Sequence, residues 1–579
     1  METRDRKKSN VNTNLKLNPS YYESSGNVRG SVDEVDDALL SELPAFERHE
    51  ESTAIELFYD LFFVANLTTF SNIHEINSTK TLASYVGFFC ILWFTWCITS
   101  LYDIRFVTDS LLARIAKGAH LGVMVGLALS GPKFDTTNKV TPQLRVIALI
   151  LMVSRFVLGL QYLLVLFHVR EYKNTKLPLG LMGGTNFVAA CKSPHTPYSW
   201  HLLTPFNSAF KTSAHAYGAF YAIAGFEMVV NIGVSSQWKA VTFKGTHLIE
   251  RMTLLTLYIC NAPTSSLHVY NLADIFKSGA SQKISQTQDA WTSANIGTLF
   301  GAITAIYLFY MLYFDTLNRH DFGSIRQQLW SFLHFPFHVA LVLCLSGMAQ
   351  FVIWQKIMEG FVMCLLYKAS PNSTFQVYEP SDPGSINATM NDILDNVQNL
   401  TSEYYSSPSN ETLNALSVGL GEVVSEVWNS IMDTYGFQSS DGGGGGTEQF
   451  ASDKTVAALD TAQLIFDYFF IATGFTIIFI GVLGVVNVRS YTIWSWARFV
   501  AHILFGLACC LLCLLATGDG SAALNLSATA WPLPIIAMIV LVVLAIHHIS
   551  WENKEAEEKT GEKQYHFLPR WRPDRNSST

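Results

Sequence analysis

Residues 55–70 read IELFYDLFFVANLTTF, an almost wholly apolar stretch that carries two acids, Glu56 and Asp60. Continued to Ile73 as an α-helix, the segment is about 28 Å long, enough to cross the hydrocarbon core of a bilayer. The two acids are four residues apart, so a helix places both on one face, one turn above the other. A charged side chain at the centre of a membrane helix costs about 2.5–3.5 kcal/mol, so this face must turn toward protein or water.

The composition indicates a membrane protein with many spans. Of the 579 residues, 49% are hydrophobic and only 15% are charged, whereas an average soluble domain has roughly 25% charged residues. The net charge of −8 gives no sign of a basic surface, so we expect no nucleic-acid partner. The nine cysteines lie in or beside apolar blocks, which excludes a secreted disulfide framework and favours apolar core positions.

Hydropathy predicts an all-α, polytopic integral membrane bundle of about twelve transmembrane helices. One segment, 177–191, is weaker than the others because its apolar run is short and the helix-breaking sequence CKSPHTPYSW follows it. The other eleven candidate segments are 55–73, 82–102, 113–131, 143–168, 213–234, 247–266, 295–314, 330–355, 462–488, 497–517 and 530–549.

Two signals predict that both termini are cytosolic. Twelve alternating crossings place most lysines and arginines of the short loops, Arg105 among them, on the side of the termini, as the positive-inside rule requires. The same arrangement places the Asn-x-Ser/Thr sequons on the opposite side, where glycosylation occurs, so we expect a eukaryotic plasma membrane or endomembrane. Asn66 also fits the sequon but lies inside the first helix and should stay unmodified. The predicted glycosylation sites are Asn77, Asn372, Asn387, Asn399, Asn410 and Asn525.

The chain divides into five regions along its length. The amino-terminal region is polar and lacks the apolar core of a signal peptide, so we expect a disordered cytosolic tail. The large polar loop carries four of the sequons and the glycine run 442–446, which is typical of a flexible tether. The regions are a tail at 1–54, a first bundle of about nine helices at 55–368, an external or luminal loop at 369–455, three last helices at 456–549, and a charged cytosolic tail at 550–579.

Glu56 and Asp60 are the leading candidates for an intramembrane proton or cation site. Glu56 is close to the cytosolic end of its helix, whereas Asp60 lies deeper. Two interpretations remain open: an ion or proton site, or a structural pair satisfied by an intramembrane arginine such as Arg155 or Arg251. Other polar residues expected inside the membrane are Glu227, Asp315 and Asp467, which could join such an ion site, and His120.

The stretch HLIERMTLL places His247, Glu250 and Arg251 on the first turns of a helix. Their spacings of three and four residues allow all three side chains to share one face. They form either a functional polar cluster or a group of charges at the cytosolic membrane surface, where charges cost little.

The stretch FLHFPFHVAL carries His334 and His338 at the i, i+4 spacing of metal ligands on a helix. Pro336 lies between them and no carboxylate is near in sequence, so packing or polar contacts are the main expectation and a zinc site the alternative. We predict no cofactor. Trp93 and Trp96 are expected to pack or to lie at the interface rather than to form a cofactor site.

The first helix resembles the signature of the low temperature requirement A (LtrA) family of membrane proteins, which reads approximately E-L-F-F-D-L-V-F-V. Three further stretches are similar to the fungal-type branch of that family: FKGTHLIERMTLLTL (243–257), LYFD (312–315) and LWSFLHFPFHVALVL (329–343). The residues that match the signature in place are Glu56, Leu57, Phe58, Asp60, Leu61, Phe63 and Val64.

This resemblance covers roughly residues 45–550 and implies a multi-pass membrane protein with no settled biochemical activity. The family typically continues into a Gly-Glu step after the Glu-Arg helix, whereas this chain reads LYICNAPTSSLHVYN there.

The sequence leaves three alternatives for the function. The first is proton- or cation-coupled transport, with the lipid bilayer and a small solute or ion as partners and with Asp60 and Glu56 as the binding residues. The second is an intramembrane metal-dependent hydrolase that uses His334, His338 and a membrane acid. The third is a non-catalytic membrane or adaptor protein whose buried charges are structural. No motif of a soluble enzyme occurs in the sequence, so we do not expect an enzyme of that kind.

Overall fold

The part of the chain that the computed structural model describes is mostly α-helical and includes no strand. The structure describes residues 52–74, 76–106, 110–134, 142–190, 218–238, 241–243, 246–263, 293–317, 324–368, 450–487, 493–516 and 521–549, with isolated positions between 399 and 414.

These residues form thirteen α-helices, numbered here in chain order. They are α1 (Ala54–Ile73), α2 (Thr79–Arg105), α3 (Leu111–Ser130), α4 (Pro142–His168), α5 (Lys173–Ala190), α6 (Gly218–Gln237), α7 (Leu248–Pro263), α8 (Ser293–Thr316), α9 (Ser324–Lys368), α10 (Phe450–Asn487), α11 (Ile493–Leu511), α12 (Ser521–Ser527) and α13 (Pro532–Ile549). Short 3-10 helices follow α3 at Gly131–Lys133 and α11 at Leu512–Ala516.

Each of the twelve segments predicted from hydropathy coincides with one of these helices. Seven helices are long and apolar enough to cross a membrane by length and composition, namely α2, α3, α4, α8, α9, α10 and α11, and α13 is a shorter apolar helix. The chain is therefore a polytopic helical membrane protein. The count of twelve crossings and the cytosolic position of the termini stay predictions from the sequence.

Polar side chains at the amino-terminal ends of the first two helices explain where these helices begin. At α1 the carboxylate of Glu56 accepts hydrogen bonds from both the backbone N–H and the hydroxyl of Thr53, at 2.8 and 2.9 Å. At α2 the hydroxyl of Ser78 accepts a bond from the backbone N–H of Thr81. Such caps satisfy N–H groups that have no partner within the helix.

The carboxyl-terminal half is built on close helix packing, in which α10 lies between α9 and α11 while α13 packs on α8. The backbones of α10 and α11 touch at Gly474 and Gly506, where a Cβ on Gly474 would lie 2.3 Å from the carbonyl oxygen of Gly506. Small residues allow this close approach, which drives helix association in lipid.

Contacts between helix ends show which helices begin or finish at the same end of the bundle. Glu56 near the start of α1 contacts His247 just before α7, so these two helices begin at the same end of the bundle. Asp315 at the end of α8 contacts His548 at the end of α13. Both contacts agree with crossings that alternate in direction along the chain when α12, which has only seven residues, is not counted as a crossing.

Several predictions concern residues that the structure describes only in part. The tails at 1–51 and 550–579, Asn372 and Asn387, and the glycine run lie outside the described residues. Asn399, Asn410 and Asn525 are exposed. Asn66 is 1% exposed and donates its amide to the carbonyl oxygen of Phe62 at 2.7 Å.

Candidate functional site

Arg251, in the first turn of α7, is 0% exposed and faces three carboxylates. Its Nη2 donates to Oδ1 of Asp60 on α1 at 2.5 Å. Its Nη1 lies 3.7 Å from Oε1 of Glu56 and 3.8 Å from Oδ2 of Asp103 on α2. These two distances are ion-pair distances, too long for direct hydrogen bonds. One guanidinium therefore links α1, α2 and α7.

Helix periodicity explains why α1 and α7 meet through two pairs. Glu56 and Asp60 are four residues apart on α1, and His247 and Arg251 are four residues apart at the start of α7. Nε2 of His247 lies 3.2 Å from Oε2 of Glu56, and Asp60 meets Arg251 one helical turn further on. Because α1 and α7 lie side by side, they form two acid–base pairs that are one helical turn apart.

Trp96 on α2 holds the deeper acid in place. Its Nε1 donates to Oδ1 of Asp60 at 2.7 Å, and Cζ of Arg251 lies 5.7 Å from the centre of its ring, within cation–π range. Oδ1 of Asp60 thus accepts two hydrogen bonds, while its Oδ2 has no hydrogen-bond partner among the described residues. Trp96 does more than pack, because it orients both members of the pair.

A second cation comes from α3. Lys117 forms an ion pair and hydrogen bond with Oδ2 of Asp103, and its Nζ lies 5.3 Å from the ring centre of Tyr59. Neither Lys117 nor Asp103 was identified as a site residue from the sequence. The sequence did contain a signal for this pair: Lys117 lies well inside an apolar span, and a lysine there needs an acid at the same depth.

The charges of this group do not balance when its histidine is neutral. With its three carboxylates ionised and its two permanent cations charged, the group carries one negative charge when His247 is neutral and none when His247 is protonated. All the side chains are buried, so the imbalance lies in a medium of low dielectric constant, where charge is costly. We call this group the Arg251 cluster: Glu56, Asp60, Asp103, Lys117, His247 and Arg251.

Arg155 and Glu227 form a separate buried pair between α4 and α6. Nε of Arg155 lies 2.9 Å from both carboxylate oxygens of Glu227. Two arginines were considered as partners for Asp60. Arg251 pairs with Asp60, whereas Arg155 pairs with Glu227. Glu227 lies about 15 Å from the end of α6, near the middle of the helix.

The other candidate acids lie apart from the Arg251 cluster. Oδ2 of Asp315 lies 3.0 Å from Nε2 of His548. Oδ1 of Asp467 is buried without a hydrogen-bond partner among the described residues. Glu250 lies on α7, three residues after His247, but its carboxylate accepts a bond from the backbone N–H of Ser52 at 3.2 Å. The predicted five-acid set therefore does not come together in one site, and Glu250 separates from its two neighbours.

His334 and His338 on α9 use their ring nitrogens in hydrogen bonds. Nδ1 of His338 accepts from Nε1 of Trp93 at 3.0 Å, since the indole can only donate. Its Nε2–H then donates to the hydroxyl of Thr256 at 2.8 Å. Nδ1 of His334 donates to the carbonyl oxygen of Trp330 at 2.8 Å, so its Nε2 accepts from the hydroxyl of Tyr313 at 2.9 Å.

These hydrogen bonds bear on the possible zinc site. A metal ligand needs a free nitrogen lone pair, and the lone pairs of both rings are already engaged by an indole and a phenol. Among the described residues, no group of three or more His, Cys, Asp or Glu side chains could hold a metal ion.

Arg105, placed in an inner loop from the sequence, is instead the last residue of α2 and is 4% exposed. It donates to Oδ1 of Asn231 at 3.0 Å, to the hydroxyl of Ser235 and to the hydroxyl of Tyr162 at 3.3 Å. Its Cζ lies 4.0 Å from the ring centre of Phe243. The negative ends of the α2 and α6 dipoles lie here and stabilise the cation, so Arg105 joins α2 to α4 and α6.

A comparison with models of protein families matches more than half of the chain. The family model described as "Bacterial low temperature requirement A protein (LtrA)" matches residues 51–367, more than half of the chain and the whole of the Arg251 cluster. Searches of curated proteins and of solved structures find no match to the chain.

Proposed function

The chain belongs to the low temperature requirement A family, and we propose that it is a proton-coupled membrane transporter in which the Arg251 cluster exchanges the proton. The observation that carries this proposal is the charge balance. The cluster holds one more carboxylate than permanent cations, and the titratable His247 lies 3.2 Å from one of those carboxylates. Proton uptake by His247, which already lies at ion-pair distance from Glu56, removes the excess charge.

The proton enters where the cluster is closest to the helix ends. Glu56 lies within the first turn of α1, and His247 lies just before α7. A protonated His247 donates to Glu56, so that Arg251 pairs with Asp60 and Asp103 only. The shared carboxylate of Glu56 therefore couples proton uptake to the pair that links α1 with α7.

A proton suits this cluster better than a metal cation. Sodium or calcium would need several oxygen ligands around one point. Here the carboxylates face a guanidinium from α7 and an ammonium from α3, and those positive charges repel an added cation. A proton is taken up on a histidine nitrogen and needs no such cage.

A non-catalytic membrane or adaptor role is the second candidate. It is favoured by the pairing of Asp60, which is 0% exposed and bonded to both Arg251 and Trp96. In that account the cluster holds helices together and carries nothing. The hydrolase alternative has less support, because His334 and His338 use their lone pairs in hydrogen bonds.

Proton flux into proteoliposomes separates the two candidates. The full-length protein is reconstituted with pyranine inside the vesicles, and a valinomycin potassium potential drives protons inward. We expect flux from the unmodified protein and a loss of roughly tenfold or more in Asp60→Asn. Asp460→Asn, which changes an exposed acid ten residues into α10, serves as the matched control and should keep the flux.

Two results would contradict the transporter proposal. One is an unmodified protein that carries no protons above empty vesicles. The other is an Asp60→Asn protein that is less abundant or less stable but keeps full flux per folded molecule, as a structural role predicts.

A further inference from the structure

We infer that His120 on α3 carries the proton from the Arg251 cluster toward the middle of the bilayer, accepting it at Nδ1. This inference rests on the proposed proton exchange and adds the route by which the proton leaves the cluster. No known role for His120 follows from the family match, and the sequence marked it only as a polar residue inside the membrane.

The position of His120 continues the cluster inward. His120 follows Lys117 by three residues, so both lie on the same face of α3, with His120 about 4.5 Å deeper. Lys117 pairs with Asp103 of the cluster, and His120 is 1% exposed. It is therefore the next titratable group beyond the cluster on α3.

The hydrogen bond of His120 determines which nitrogen is free. Its Nε2 lies 2.8 Å from Oε1 of Gln161 on α4, and an amide oxygen can only accept, so Nε2 carries the hydrogen. Nδ1 is then a bare lone pair, and it has no hydrogen-bond partner among the described residues. A buried histidine with an unused basic nitrogen differs from His334 and His338, whose lone pairs are occupied.

The charged and titratable groups near His120 come from α1, α2, α3 and α4. Asp103 on α2, Lys117 on α3 and Arg155 on α4 all interact electrostatically with the ring. From α1, the ring centre of Tyr59 lies 5.3 Å from Nζ of Lys117. Two cations against one carboxylate oppose a permanent charge on the ring, so the imidazolium is a transient carrier rather than a fixed ion.

The transfer step is balanced within this arrangement. The Nδ1 lone pair forms an N–H bond as the O–H bond of a protonated water breaks, and the ring becomes imidazolium. Throughout this step the Nε2–H group keeps its hydrogen bond to Gln161. Release breaks the same Nδ1–H bond and passes the proton to water, which restores the starting tautomer. Glu227, near the middle of α6, is paired with Arg155 of the same helix as Gln161 and is the acid to which we assign the next step.

Nitrogen-15 NMR of histidine-labelled full-length protein in bilayers tests the tautomer directly. The His120 signals are assigned by their absence in His120→Asn. We expect a neutral ring with the proton on Nε2 and a bare Nδ1, which changes to two N–H groups on acidification. A neutral ring protonated on Nδ1, or a ring that keeps one N–H at every pH at which the protein stays folded, would overturn the inference.

The flux assay separates this inference from the proposed function. We expect His120→Asn to lower proton flux by roughly tenfold or more, while His168→Asn, at an exposed histidine at the end of α4, keeps it. Flux that is present in the unmodified protein and unchanged in His120→Asn refutes the role of His120 but leaves the transporter proposal standing. No flux from the unmodified protein refutes both.

Discussion

At the residue scale, the two acids of α1 have different surroundings although they share one helix face. Glu56 caps its own helix through Thr53 and contacts His247, whereas Asp60 is enclosed by Arg251 and Trp96. Of the two acids, Glu56 is therefore the one nearer the end of α1, and Asp60 is the one that fixes the guanidinium. The role of each acid follows from what lies on α7 and α2 opposite it.

Asp60 and Arg251 are expected to act as one unit in stability. Breaking a buried ion pair by removing one partner typically costs about 3–5 kcal/mol, because the other charge stays buried. We expect Arg251→Gln to lower the unfolding temperature more than Asp60→Asn, since Arg251 also faces Glu56 and Asp103. The double variant should lose less than the sum of the two single losses, measured by thermal unfolding in detergent. Additive losses would show that the pair is not coupled.

The sequence identified part of this site and missed part of it, for a physical reason. Glu56, Asp60, His247 and Arg251 stood out because charges in apolar stretches are rare, and Arg251 was named as a possible partner for Asp60. Which helices touch is decided by packing, and local sequence does not record it. Asp103 and Lys117 were therefore missed, and Glu227, Asp315 and Asp467 could not be assigned to separate places.

At the element scale, hydropathy found the helices but not their full lengths. Helix α9 continues to Lys368 and α10 begins at Phe450, beyond the predicted segments 330–355 and 462–488. Hydropathy marks the apolar part of a helix, whereas the backbone hydrogen bonds continue into polar sequence. The weak segment 177–191 is helical as α5, with Pro178 inside its first turns.

The contact of α10 with α11 gives a test of helix packing. Gly474→Ala places a methyl group 2.3 Å from the carbonyl oxygen of Gly506, so the helices must separate. We expect a loss of about 1–3 kcal/mol in the free energy of unfolding, as for other overpacked cores. Gly225→Ala on α6 is the control, because a Cβ there meets no atom within 4 Å. Equal stability of the two variants, measured by denaturant unfolding in detergent, would contradict the packing.

At the scale of the whole molecule, the helical bundle extends beyond the segment that the family model matches. The match ends at residue 367, within the last turn of α9. Nonetheless, α10 packs against α9 and α13 packs against α8. The last helices therefore extend the same bundle rather than forming an unrelated unit. Asp315, inside the match, meets His548 beyond it.

The twelve-crossing topology predicts which sequons carry glycans. In a eukaryotic host we expect the loop sites to be used, so glycosidase treatment should lower the apparent mass of the unmodified protein. A variant with Gln at Asn372, Asn387, Asn399 and Asn410 should lose most of that shift. Asn66→Gln, at a buried amide, should change nothing. A loop variant with the same shift as the unmodified protein would contradict this topology.

Glu56→Gln in the proteoliposome flux assay tests the central claim most directly, that the Arg251 cluster exchanges the transported proton. The substitution keeps a hydrogen-bonding side chain next to Thr53 and removes the charge that faces His247 and Arg251. Our account predicts folded protein whose proton flux falls by roughly tenfold or more, while Glu171→Gln, at an exposed turn after α4, retains the full rate. An unchanged flux in Glu56→Gln would contradict it.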